Sequence, residues 1–294
     1  MRHLGTVITA MVTPFDDNLR VDLKRMAELT DYLIDLGSDG LLVTGTTGES
    51  PTLTNEEKVA LWETVVKAAR GRVPVMLGTG SNNTEQSIAL TKKAEEVGGD
   101  AILLVTPYYN KPPQNALFAH FRAVAAATKL PVMIYNVPGR TGRNIEAPTV
   151  ARLAHEVPNI VAVKEAGGDL DQVSEICSLV PEGFAVYSGD DSLTLPMLSL
   201  GAKGVVSVAS HIVAGQMRQM IASFTQGDWK HAKDIHLRYF SVFKGLFFTT
   251  SPSPVKSALK LMGFPVGGLR LPLLPLTEAE EEKLKGILQE AGLI

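Results

Sequence analysis

Five short stretches concentrate the side chains able to do chemistry. They are "GTTGES" (45–50), "TPYYNKPPQ" (106–114), "YNVPGRTG" (135–142), "NIVAVKEAGG" (159–168) and "SGDD" (188–191). The fourth poses the sharpest question, because a run of small and β-branched apolar residues leads without a turn into Lys164 and Glu165. Such a run reads as a strand buried on both faces, where an ammonium must be paired, exposed at the strand's end, or neutralised by a lowered pKa. A lysine snorkelling to solvent or held in a structural ion pair is the plain reading of Lys164 alone. A lysine kept partly neutral is the chemical one, since a neutral amine attacks a ketone to give a Schiff base that withdraws electrons without a cofactor. By strand alternation Glu165 points the other way and serves structure rather than chemistry.

The other stretches supply what imine chemistry needs. Thr46 and Thr47 in "GTTGES" offer two hydroxyls and several backbone N–H groups ahead of a helix start, a nest for a carboxylate or simply a capped βα turn. Tyr135 ends a strand that neighbours the strand of Lys164, so its hydroxyl can come within reach of the amine. Arg140 sits in a Pro-Gly turn that can hold its guanidinium toward a carboxylate, or toward a surface acid. Tyr108 and Tyr109 read as packing at a subunit contact or as proton carriers. None of the six histidines has metal-ligand spacing, and no Cys/His cluster, P-loop, dinucleotide fingerprint or nucleophile elbow is present, so neither a metal nor another cofactor is expected.

The elements that must carry these stretches alternate strictly. Apolar runs at 6–12, 40–43, 73–78, 101–105, 130–137, 159–164, 184–188 and 204–208 are separated by helical patterns such as "LKRMAELTDYLIDL", "NEEKVALWETVVKAA" and "TEQSIALTKKAEEV". The second helix is opened by Thr54 with Glu57 at capping-box spacing. "LGSDGLLV", "VGGDAILL" and "LGAKGVVS" repeat one device, a glycine that ends a helix before a short loop and an apolar strand. Eight such units predict an α/β fold, a (β/α)8 barrel over residues 1–226, with a small helical extension over 227–294. The active site is then expected where the strands end, which is where all five stretches fall.

Composition narrows the setting. Of 294 residues, 28 are basic and 31 acidic, leaving a net charge of −3 and no basic face for nucleic acid or anionic lipid. The lone Cys177 reads as a small core residue and suggests a reducing, cytoplasmic setting. No stretch is apolar enough to span a membrane.

Taken together these motifs resemble those of the dihydrodipicolinate synthase family, within a superfamily of Schiff-base lyases that also holds N-acetylneuraminate lyase and the 2-keto-3-deoxy sugar acid aldolases. The resemblance runs from "GTVITAMVTPF" to "SPVKSALKLMG". It implies a lyase of lysine and diaminopimelate biosynthesis in which Lys164 condenses with pyruvate and the enamine attacks L-aspartate 4-semialdehyde. It further implies a proton relay of Tyr135, Thr46 and Tyr109, a pyruvate-carboxylate site at Thr46 and Thr47, and a semialdehyde clamp at Arg140. Gly189 and the carbonyl of Val206 would line the lysine's pocket. Tyr109 would reach into a neighbouring subunit, giving a tight dimer and, by pairing of dimers, a homotetramer. Arg140 separates this reading from a sugar-acid lyase, which does not need it; a non-catalytic barrel that binds a carboxylate is the alternative outside enzymes.

One departure from the family pattern concerns regulation. Members inhibited by lysine hold it through residues matching Ser50, Asn82 and Tyr108, with an acidic or histidine side chain and a glutamate nearby. The latter two positions are Lys58 and Gln86 here. A cation and an amide at those places would repel or fail to hold lysine's ammonium groups, so feedback is expected to be weak or absent.

Overall fold

The computed structural model describes residues 4–294. Eight parallel strands close into a barrel in sequence order, β1 joining β8. They are β1 (Val7–Ala10), β2 (Gly40–Val43), β3 (Val75–Gly78), β4 (Ala101–Val105), β5 (Val132–Asn136), β6 (Ile160–Glu165), β7 (Ala185–Ser188) and β8 (Gly204–Ser207). Each matches one of the eight apolar runs, and a helix follows each of them. The (β/α)8 barrel expected from the alternation is therefore the observed fold.

Period-two alternation divides the apolar side chains into two layers. Ile8, Leu42, Leu103, Met133 and Val206 fill the barrel interior. Val7, Leu41, Leu104, Ile134 and Val163 face the surrounding helices. Both faces of every strand are dry, which explains why the strands read as continuous apolar runs rather than alternating ones. The same parity points Lys164 inward and Glu165 outward.

The expected punctuation is present. Gly37, Gly98 and Gly201 adopt φ of 117°, 88° and 104° at the helix ends, the left-handed conformation that glycine adopts without a Cβ penalty. Glu57 N–H donates to Thr54 Oγ1 at 3.2 Å while Thr54 N–H donates to Glu57 Oε2 at 2.9 Å, completing the capping box. After Gly227 only helices and loops follow, with helices at Trp229–Gly245, Ser253–Leu261 and Glu278–Glu290. Their apolar faces, including Val242, Phe243, Leu259 and Leu284, join the same cluster as the barrel's outer layer. Cys177 is half-buried against that cluster. Among the described residues no helix is long and apolar enough to cross a membrane.

Candidate active site

The register of β5 and β6 brings the central pair together. Tyr135 is the direct partner of Lys164, and Asn136 that of Glu165. Glu165 is buried and accepts from Asn136 Nδ2 at 3.0 Å, the Gly167 N–H at 2.7 Å and Gln172 Nε2 at 3.0 Å. It thus pins the two strand ends on the outer side, as alternation predicted, while Tyr135 and Lys164 face inward. The Lys164 Nζ lies 4.2 Å from the centroid of the Tyr135 ring.

Lys164 is only 6% exposed. Burial drives its pKa down from 10.5 to about 7, and the nearby Arg140 guanidinium acts the same way, while the Asp191 carboxylate opposes both. Desolvation prevails because the amine is enclosed by the barrel wall and ring faces, none of which can replace water around an ammonium. Near neutral pH the amine is therefore neutral in a substantial fraction of molecules, as a nucleophile toward a ketone requires. Burial also raises the Tyr135 phenol, opposed by the Arg140 charge and by a hydrogen bond with Thr46. Tyr135 therefore remains a protonated hydroxyl that can pass a proton along its link to Thr46.

Asp191 ends the "SGDD" stretch. It is 1% exposed, and burial raises its pKa to about 6. One carboxylate oxygen accepts from the N–H groups of Val208 and Ala209 at 3.2 and 2.9 Å. The fully buried His211 ties the same turn to β1, accepting from the Val12 N–H at 3.1 Å and bonding the Val208 carbonyl at 2.8 Å. Burial holds His211 down to about 4, so this bracket stays neutral at ordinary pH. An acidic residue after a strand carries no sign of burial in sequence, so Asp191 becomes visible only in the fold.

Thr46, Tyr135 and Arg140 line one cleft of about 610 Å³ at the barrel mouth. Thr47 is buried beside them, and the exposed Arg140 is held on the short helix Pro138–Thr141. Val206 is fully buried in the barrel interior. Gly189 packs directly on the lysine, since a Cβ there would stand 2.8 Å from Lys164 Cε and 2.7 Å from Ala166 Cβ. Tyr109 is not brought to the amine within one chain: it is 89% exposed and held at φ 70°, outside the usual range for a side-chain-bearing residue. Ser50, Lys58, Gln86 and Tyr108 line the outer part of the same cleft. Asn82 lies close by, its carbonyl accepting from Asn110 Nδ2 at 2.9 Å. Burial lowers the pKa of Lys58. Among the described residues no group of three His, Cys, Asp or Glu side chains could hold a metal ion.

A phenol, a threonine hydroxyl and a guanidinium line one cleft, and a partly neutral amine lies against the phenol's ring; together they can form an imine, move the protons this requires, and hold a carboxylate. Comparison with known proteins points the same way. Residues 3–291 match the profile of the dihydrodipicolinate synthetase family. The chain is 56% identical over 288 residues to the 4-hydroxy-tetrahydrodipicolinate synthase of Bacillus subtilis, covering 98% of this chain and 99% of the relative. Its fold superposes on the dihydrodipicolinate synthase of Bacillus anthracis with a TM-score of 0.96 at 55% identity, covering 98% and 99% of the two chains. The lysine-bound synthase of Cyanidioschyzon merolae matches with a TM-score of 0.97 at 48% identity, over 99% of each.

Gly189 supplies the test of this geometry. Replacement by alanine puts a methyl group against the lysine stem, and the Gly189→Ala protein should remain folded by circular dichroism. Its rate of borohydride-trapped adduct formation on Lys164 with a small keto acid should fall by about tenfold or more. A wild-type rate would show that the amine does not depend on this packing.

Proposed function

The chain belongs to the dihydrodipicolinate synthetase family, and from that premise we propose that the barrel mouth condenses pyruvate with L-aspartate 4-semialdehyde through a Schiff base on Lys164. The observation that carries this reading is the buried Lys164, drawn down to about 7, in register with Tyr135, which shares a cleft with Thr46.

The pyruvate carboxylate is received by Thr46 and Thr47, which presents its C2 carbonyl to Lys164. The amine attacks C2, a proton returns to the carbonyl oxygen through Tyr135 and Thr46, and water departs to leave the imine. Loss of a proton from C3 gives an enamine, the electron pair resting on the imine nitrogen. C3 then bonds to the aldehyde carbon of the semialdehyde, whose oxygen takes up a proton and whose carboxylate is met by Arg140. The semialdehyde's own amine attacks C2, releases Lys164 and closes a six-membered ring. One water is lost overall, and the enzyme returns unchanged without an added cofactor. Gly189 and Val206 shape the pocket in which the lysine stem is held.

Tyr109 completes the relay from a second subunit. Its 89% exposure and constrained backbone support a residue held out toward a partner. The assembly is a tight dimer, paired into a homotetramer, working in a reducing cytoplasmic setting; residues 227–294 form a helical unit on the barrel. Ser50, Lys58, Asn82, Gln86 and Tyr108 are an effector site that has lost its complement to lysine, because Lys58 places a cation where an ammonium would have to bind.

Two measurements check the reading. Incubation with pyruvate and borohydride should add the reduced pyruvyl group to Lys164, and Arg140→Ala should lower kcat/KM for the semialdehyde by roughly a hundredfold, a change typical of losing a charged bidentate contact. An absent adduct would end the Schiff-base mechanism, and an unchanged kcat/KM would favour a sugar-acid lyase. With both substrates supplied, sub-millimolar lysine should leave the condensation rate unchanged. Inhibition in that range would contradict the effector-site assignment.

A further inference from the structure

The "GTTGES" turn is anchored from outside the barrel. Thr44, just before it, and Glu49, its penultimate residue, both have φ of 55°, the left-handed region that side-chain-bearing residues disfavour, so each must be held there. Thr44 is held from within: its hydroxyl accepts from Trp62 Nε1 at 2.8 Å and lies 3.1 Å from the Gly78 carbonyl to which it donates. Glu49 is held by residues about 200 positions further along the chain. Its carboxylate forms a 2.6 Å ion pair with Lys256, with both side chains almost fully buried, and accepts from the Arg270 N–H at 3.0 Å. Lys256 also donates to the Gly268 carbonyl at 2.7 Å. The Arg270 guanidinium clasps Glu57 through two bonds of 2.8 and 2.7 Å and donates to the Thr52 carbonyl at 2.9 Å, fixing the start of the next helix.

A buried ion pair contributes little net stability, because desolvation of both charges offsets their attraction, and an apolar pair of similar size often does as well. What it does supply is a defined position. The Glu49 N–H donates to the Thr46 carbonyl at 3.1 Å and the Gly48 N–H to the Gly45 carbonyl at 3.1 Å, so a shift of Glu49 carries Thr46 and Thr47 with it. Glu49 does not line the cleft and touches no substrate atom in the proposed mechanism.

We infer that Glu49, Lys256 and Arg270 are positioning residues for the carboxylate-binding hydroxyls, which makes the helical extension part of the active-site machinery. This rests on the assignment of Thr46 and Thr47 to the pyruvate carboxylate and goes beyond it in naming what holds them.

The test is the double variant Glu49→Gln/Lys256→Met, which removes both buried charges together and so leaves neither charge unpaired. The intact protein should fold and still form the Lys164 adduct at saturating pyruvate. Its KM for pyruvate should rise about tenfold or more, with a smaller change in kcat. A lowered melting temperature with an unchanged KM would overturn the inference and leave the pair a stability element only. If the double variant does not fold, Arg270→Met, at a partly exposed position, decides with an expected KM rise of about threefold; an unchanged KM again overturns it. Thr47→Ala separates the two levels, because an unchanged pyruvate KM there would refute the carboxylate assignment itself, whatever Glu49 does.

Discussion

The constraint on which the site depends is the desolvation of one amine. Lys164 is only 6% exposed, and among the described residues no carboxylate makes a close ion pair with it, so folding shifts it toward its neutral form. The condition has a thermodynamic side. The unfolded chain holds the proton with a pKa near 10.5 and the folded chain near 7, so the lysine's cost to stability is full below about pH 7 and fades between 7 and 10.5. A barrel with two dry layers can tolerate such a residue because many apolar contacts surround it, and the same dryness makes the lysine reactive.

Around that amine the charges are graded by distance and burial. Arg140, exposed at the mouth, reinforces deprotonation, and the buried Asp191 restrains it. Asp191 can act in this way because the Val208 and Ala209 N–H groups fix it and the neutral His211 fixes their turn. Positioning thus rests on contacts that differ in chemistry: backbone amides at Asp191, Glu165 outside the strand pair, and the Glu49–Lys256 pair at the threonine turn. Each of these ties elements distant in sequence, so the mouth is rigid although it is made of loops.

Much of this was legible in the sequence, for physical reasons that can be named. Buried parallel strands write themselves as uninterrupted apolar runs, so all eight strands, and the opposite facing of Lys164 and Glu165, could be read directly. Helix ends marked by glycine, and the Thr54/Glu57 capping box, are local rules obeyed locally. Side chains that act at a strand's end appear where the apolar run stops, which is why Thr46, Tyr135 and Arg140 could be collected onto one mouth. The hidden part is long-range pairing. Nothing near Glu49 signals that Lys256 will bury itself against it, and nothing in "SGDD" distinguishes the buried Asp191 from a solvated acid. Tyr109 shows the converse limit, since a residue proposed to act in a second subunit looks idle in one chain.

The most direct test of the central claim is titration of the Lys164 ε-amine itself in the unliganded protein. Selective ¹³C labelling of lysine, with assignment by a Lys164→Met control, allows its chemical shift to be followed against pH. The midpoint should fall near 7, well below the 10.5 of an unperturbed lysine. A midpoint near 10 would mean that burial does not neutralise the amine, and the explanation of its reactivity given above would be wrong.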